Sequence, residues 1–189
     1  MLAVTGNAYA LALGAFTVFW YNGVYTCLKK KTAFAVLPGG LVGAVPPAIG
    51  WVAAGGSLLD PRLLFLCFFF FMWQVPHFWL FMLEHGKEYE MAGLPSLTAV
   101  FDGDQIVRIS FVWISSVAVS CMFISTSGVA RSLAVNITLF AMSVWLMWNG
   151  IRLFRKEAGK AAFSFAFRGM NTGMMLVMLF LASDRFFPF

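Results

Sequence analysis

Arg62-Leu63-Leu64-Phe65-Leu66-Cys67-Phe68-Phe69-Phe70-Phe71-Met72-Trp73-Gln74-Val75-Pro76-His77-Phe78-Trp79-Leu80-Phe81-Met82-Leu83 carries one charge, at its first position. Wound as an α-helix at about 1.5 Å per residue, residues 62–83 span about 33 Å. That matches the hydrocarbon core of a bilayer, which is about 30 Å thick. The run is continuously apolar and does not alternate, so it reads as a helix and not as a strand of a membrane barrel. Five further windows have the same character: 6–27, 33–54, 106–127, 131–152 and 162–183. The expected fold is therefore all-α, a polytopic transmembrane bundle of about six helices in one membrane domain, 1–189.

Composition agrees. Of the 189 residues, 61% are hydrophobic and only 11% charged, whereas soluble domains carry about a quarter charged residues. The net charge of +5 does not indicate nucleic acid. The basic residues sit in short clusters between apolar runs, which is the pattern of a topology signal. Lys29, Lys30, Lys31, Lys87, Arg108, Arg152, Arg155, Lys156, Lys160 and Arg168 fall on one side, against Arg62, Arg131 and Arg185 on the other. The first side is expected in the cytoplasm and the N-terminus outside. The first basic residue is Lys29, so a signal peptide is not expected. An outward N-terminus without a charged leader hints that further helices precede this chain. Cys27, Cys67 and Cys121 lie far apart and imply neither a disulfide framework nor a metal site.

Two helix interiors stand out. Pro38-Gly39-Gly40-Leu41-Val42-Gly43-Ala44-Val45-Pro46-Pro47-Ala48-Ile49-Gly50 combines small residues, which let helices approach closely in lipid, with prolines that break helical hydrogen bonds. Trp73-Gln74-Val75-Pro76-His77-Phe78 sets polar groups deep in a span. Gln74 and His77, three apart, are expected to share a face and to turn toward the bundle interior. A structural bond between helices would explain them as well as a functional role.

The chemistry concentrates at the side expected to be cytoplasmic. Glu84-His85-Gly86-Lys87-Glu88-Tyr89-Glu90-Met91-Ala92-Gly93-Leu94-Pro95, with Asp102 and Asp104, contains five of the eight acidic residues. If the helix runs on past Leu83, Glu84 and Glu88 lie one turn apart and could hold Mg²⁺, an ion that takes oxygen ligands and is often shared with substrate phosphates. An ordinary solvated loop would also account for them. At the end of the first window, Tyr25-Thr26-Cys27-Leu28-Lys29-Lys30-Lys31-Thr32 places Tyr25 and Lys29 one turn apart. Lysine is a good point-charge partner for phosphate, though topology alone would also put lysines there. An acidic and a basic motif at the same face suit a metal-bound diphosphate above a lipid-facing cavity.

These motifs resemble the intramembrane (UbiA-type) prenyltransferase superfamily, and within it the protoheme IX farnesyltransferase (haem O synthase) branch. The matching residues are Tyr25-Thr26 with Leu28-Lys29-Lys30; Gly39-Gly40 with Gly43-Ala44, Pro46-Pro47 and Gly50-Trp51; Trp73-Gln74 with Pro76-His77-Phe78; and Glu88-Tyr89 with Ala92-Gly93 and Pro95. The resemblance implies transfer of a farnesyl group from farnesyl diphosphate to haem b, giving haem O for terminal oxidases. Mg²⁺ would act with the diphosphate, haem b would be substrate and not cofactor, and the site would be the bacterial inner membrane. It makes Glu88, Lys29 and Tyr25 the catalytic candidates, and Glu84 and Glu88 the metal ligands. Lys30, Lys87, Trp73, Gln74 and His77 become substrate-binding candidates.

The chain also departs from the pattern. Family members carry nine helices, and this sequence resembles the last six. Their first acidic motif, Asn-x-x-x-Asp-x-x-x-Asp, has no counterpart, since no Asp or Glu precedes Asp60. Glu88 stands where Asp is usual, and Ser96 and Thr98 replace Met and Pro. Arg168, Asn171 and Thr172 form a polar stripe that the resemblance does not explain. Three readings follow: a farnesyltransferase completed by an N-terminal part supplied separately, an inactive homologue that binds haem or prenyl lipid or helps oxidase assembly, and a prenyltransferase for a quinone precursor. A transporter would need polar residues along several helices, which this chain lacks.

Overall fold

The computed structural model describes residues 7–84, 88, 91–154 and 160–184, with the side chains of Glu84 and Lys160 excepted. The described residues contain six helices long and apolar enough to cross a membrane: α1 (Ala8–Leu28), α2 (Ala33–Ala53), α3 (Pro61–Leu83), α4 (Gly103–Thr126), α5 (Leu133–Phe154) and α6 (Ala161–Ser183). No strand occurs among them. The chain is an integral membrane protein.

Side-chain pairs fix the helix directions. Asn7 caps α1 by accepting from the N–H groups of Tyr9 and Ala10, and its amide donates to the Val52 carbonyl near the end of α2. At the other end, the Trp20 indole donates to the Pro38 carbonyl at 2.7 Å. The two helices are thus antiparallel. Cys121 on α4 lies against the Leu139 carbonyl of α5, and the Ser143 hydroxyl donates to the Ala118 carbonyl at 2.7 Å. These also run in opposite directions. α3 packs against α2, α4 and α6, and α4–α5–α6 close a ring with it. α2 lies outside that ring, and α1 packs against α2. The end of α1 and the start of α2 therefore share one face of the bundle with the end of α3 and the segment that follows it.

Lipid is as apolar as leucine, so close packing and interhelical hydrogen bonds hold such helices together. The four-helix ring buries Phe69 and Leu80 of α3, Ile114, Val117 and Ile124 of α4, Leu139 and Leu146 of α5, and Met170 and Val177 of α6. A second cluster, with Val36, Val75, Trp79, Met82 and Leu97, sits toward the motif face. The glycines of α2 serve α1 and α3. A β-carbon on Gly39 would lie 2.7 Å from the Tyr25 ring, and one on Gly40 would lie 3.1 Å from Phe71. Pro46 and Pro47 stand inside a helix that continues around them from Val36 to Ala53. α2 ends before Gly55, whose φ of 86° is left-handed and suits glycine at a helix stop.

Two caps lie outside the first pattern of expectations. Asp102 and Gln105 form a reciprocal capping box at α4, with distances of 2.8 and 3.0 Å. The N-terminus of α5 is capped from another helix. Asp184, buried just past α6, accepts from the backbone N–H of Arg131 at 2.8 Å and of Ser132 at 2.9 Å. A carboxylate there satisfies two orphan donors and complements the helix dipole. On the same face, Asp60 accepts from the Arg62 guanidinium and backbone N–H at the start of α3. The Arg62 side chain, acting first through its hydrogen bond, holds the Asp60 carboxyl below its usual value.

Candidate functional site

α1 does not stay α-helical to its end. From Trp20 to Tyr25 it widens into a π-helix. The Thr26 N–H reaches back five residues to the Tyr21 carbonyl, and the Thr26 hydroxyl donates to the same oxygen at 2.9 Å. Such single-turn widenings recur at functional sites. No apolar-window count could show this one, because it changes which way side chains point without changing which residues are apolar.

Tyr21 and Tyr25 of the widened turn and Lys29 beyond it all face one pocket. They line a pocket of about 200 Å³ with Val36 of α2, Phe78 of α3, and Leu94 and Pro95 of the segment after α3. The Tyr21 and Tyr25 ring centres are 5.3 Å apart, and Tyr25 lies 6.3 Å from Phe78. The Lys29 ammonium is 5.8 Å from the centre of the Tyr25 ring. That placement gives the cation a ring face to rest on within the lining of the pocket. The Tyr25 ring is set by Gly39, which leaves it the space a β-carbon would take.

The candidates from sequence fare unevenly. Tyr25 and Lys29 are brought together with the end of the acidic segment. Lys30 is exposed and is not among the pocket's lining residues. Helix α3 continues one residue further, to Glu84. Glu88 is helical and exposed, and its carbonyl accepts from the Ala92 N–H at 3.0 Å. Lys87 and the Glu84 side chain lie outside the described residues, and so does the supposed Glu84–Glu88 pairing. Among the described residues no group of three metal-type ligands forms. Glu88 supplies one hard oxygen donor of the type Mg²⁺ takes.

The expected common face of Gln74 and His77 is corrected by the structure. Gln74 packs toward α2, where a β-carbon on Gly43 would collide with its amide oxygen. His77 turns toward α6, and its Nδ1 lies 2.7 Å from Oδ1 of Asn171. The residue that shares His77's face is Trp73, one turn earlier, with ring centres 4.6 Å apart. At 100° per residue, neighbours three and four apart diverge in opposite senses, and α3 lies between α2 and α6, so the two polar groups serve different neighbours. The stripe on α6 is explained in part: Asn171 pairs with a histidine and not with a carboxylate. Arg168 and Thr172 are exposed. The Asp184 cap was missed altogether. Its only sequence signal is a lone acid directly after a span.

On one face of this membrane helix bundle a lysine, two tyrosines and the end of an acidic segment come together around one pocket. The chain belongs to the UbiA prenyltransferase family, which it matches over residues 1–177. In particular it is similar to proteins named protoheme IX farnesyltransferase. It is 34% identical to that of Oleidesulfovibrio alaskensis, over 98% of this chain and 63% of the relative. It is 39% identical to that of Geobacter sulfurreducens, over 68% and 47% respectively. For that of Rhodopseudomonas palustris, strain BisB18, the figures are 37%, 85% and 51%. The matched region thus spans between about half and just under two thirds of these curated relatives. No solved structure matches the chain.

Proposed function

We propose that the chain carries the basic motif and much of the cavity wall of a protoheme IX farnesyltransferase, an enzyme that joins the farnesyl group of farnesyl diphosphate to haem b and gives haem O. The observation that carries this reading is the pocket that brings Tyr25 and Lys29 from α1 together with Leu94 and Pro95, the end of the acidic segment. Lys29 binds a diphosphate oxygen and neutralises charge as the C–O bond of the substrate breaks. Tyr21, Tyr25 and Phe78 present ring faces to the allylic cation and keep water from it. Glu88, with Glu84, would hold Mg²⁺, which supplies further positive charge to the leaving diphosphate when bound.

The chain works in the bacterial inner membrane with its motif face toward the cytoplasm. A further helical part, supplied separately, completes the bundle. The surface of α1 supports that last point: none of its apolar window is buried, against 33–39% of that of each other span.

The test is complementation of a strain lacking haem O synthase, read by chromatography of extracted haems. Haem O is expected when the chain is expressed with a segment providing three more helices and the first acidic motif. Haem O from the chain alone would show that nothing further is needed. Loss of quinone with haem O intact, in a strain deleted for this chain, would overturn the choice of acceptor.

A further inference from the structure

At the motif-face end of α5 and α6 an arginine rests on two outward-facing rings. The Arg152 guanidinium lies over Trp148, one turn earlier on α5, at 5.8 Å from the ring centre, and over Phe165 of α6 at 5.2 Å. Both rings are about half exposed, and Arg152 is itself exposed. Arg168, three residues past Phe165 on α6, is exposed too. The two helices meet at Gly169, where a β-carbon would lie 3.2 Å from the Asn149 amide oxygen. Asn149 precedes Arg152 by three residues, so Arg168 sits roughly one turn, about 5 Å, deeper in the span than Arg152.

An arginine inside a span ordinarily faces the bundle interior or pairs with a carboxylate or a carbonyl. Arg168 does neither. The salt bridge among the described residues joins Arg62 to Asp60, at the opposite end of the bundle. Neither Arg152 nor Arg168 has a hydrogen-bond or ion-pair partner among the described residues. Val144, one turn before Trp148, and Met175, two turns past Arg168, are exposed as well. Two unpaired cations thus stand at the end of an outward apolar face, where hydrocarbon gives way to headgroups.

We propose that this face of α5 and α6 holds an anionic phospholipid, its phosphate bound by Arg152 and Arg168 and its acyl chains covering the apolar surface below them. Guanidinium groups suit phosphate because their N–H donors form a planar fork. Aromatic side chains are favoured at headgroup level, and the two rings hold Arg152 there. The long apolar stem of an arginine lets the Arg168 charge reach the same level from deeper in the span. A zwitterionic lipid carries its own ammonium beside the phosphate, which repels both guanidiniums, so the site selects a lipid of net negative charge. The site stands whether or not the chain transfers a prenyl group.

The test is native mass spectrometry of the full chain, released from detergent micelles after titration with phosphatidylglycerol or phosphatidylcholine. One phosphatidylglycerol is expected per chain, with phosphatidylcholine bound at least about fivefold more weakly. Arg152→Gln and Arg168→Gln should each weaken phosphatidylglycerol binding by about fivefold, and together by about 30-fold. Trp148→Leu and Phe165→Leu, which keep both charges, should weaken it by about two- to fivefold. Arg108→Gln is the control. It removes an exposed arginine from the same end of the bundle, one that lies over no ring among the described residues, and it should change nothing.

Equal binding of the two lipids, or an equal loss with Arg108→Gln, overturns the site, because charge anywhere at that end would then suffice. Competition by glycerol 3-phosphate at the same concentration overturns the choice of a lipid, because a phosphate without acyl chains would then be enough. Loss of the lipid when the chain is purified with the three-helix segment would assign the face to protein contact instead.

Discussion

Replacing Gly39 by alanine tests whether the close approach of α2 to Tyr25 shapes the site. The added β-carbon would sit 2.7 and 2.9 Å from two carbons of the Tyr25 ring, inside the distance real side chains keep. Ring or helix must shift, and overpacking of this kind typically costs about 1–3 kcal/mol. Gly50, on the same helix, provides the control: a β-carbon there meets nothing within 4 Å. Gly50→Ala should therefore be neutral or stabilising by about 0.5–1 kcal/mol, because alanine favours the helix. The assay is reversible unfolding of the chain in mixed micelles, followed by circular dichroism. Gly39→Ala should lower the folded-to-unfolded ratio by roughly 5- to 150-fold, since about 1.4 kcal/mol is tenfold. The coupling is the sharper readout. With Tyr25→Ala already in place, the ring is gone and Gly39→Ala should cost little, giving an interaction energy of about 1–2 kcal/mol across the cycle. Equal losses in the two backgrounds would refute the account, because the cost would then come from the helix backbone and not from the Tyr25 ring.

Asp184→Ala should destabilise the chain by about 1–3 kcal/mol by leaving the Arg131 and Ser132 N–H groups unpaired; Asp184→Asn, which keeps one acceptor, should lose less, and thermal melts in detergent will rank them. In the complemented strain, Lys29→Gln should reduce haem O formation by about tenfold or more through KM and kcat together, and Glu88→Ala should abolish it; full activity in Glu88→Ala would remove that residue from the metal site. For Asp60, the hydrogen bond from the Arg62 guanidinium holds the carboxyl below the ordinary aspartate value in the folded chain. A depressed folded value means that its contribution is present above the unfolded value and fades as pH falls through the folded one. Carboxyl ¹³C titration should show a midpoint below the ordinary aspartate value, returning toward it in Arg62→Gln.

Some of the site could be read from spacing and some could not. Tyr25 and Lys29 are one turn apart on a single helix, so their shared stripe follows from helical geometry, and the π-turn that ends at Tyr25 does not separate them. Lys30, the next residue along, points elsewhere for the same reason. Gln74 and His77 obeyed the same rule only loosely, because α3 has neighbours on two sides and a 60° divergence was enough to send one side chain to α2 and the other to α6. Asp184 and Asn171 act on partners 52 and 94 positions away, a separation over which local pattern carries no signal.

The pocket that opens at Tyr25 and Lys29 shows where the division falls. The sequence by itself determined that this is a membrane bundle of about six helices, because a helical crossing of a bilayer demands some twenty apolar residues and these runs lack the alternation of barrel strands. It also determined which face carries the charged motifs, since spans alternate direction and the motifs sit at their ends. The tertiary structure alone decided which interior polar groups meet. A helix surface offers a residue to any neighbour within its arc, and only the packed arrangement of α3 between α2 and α6 selects Asn171 for His77 and Gly43 for Gln74.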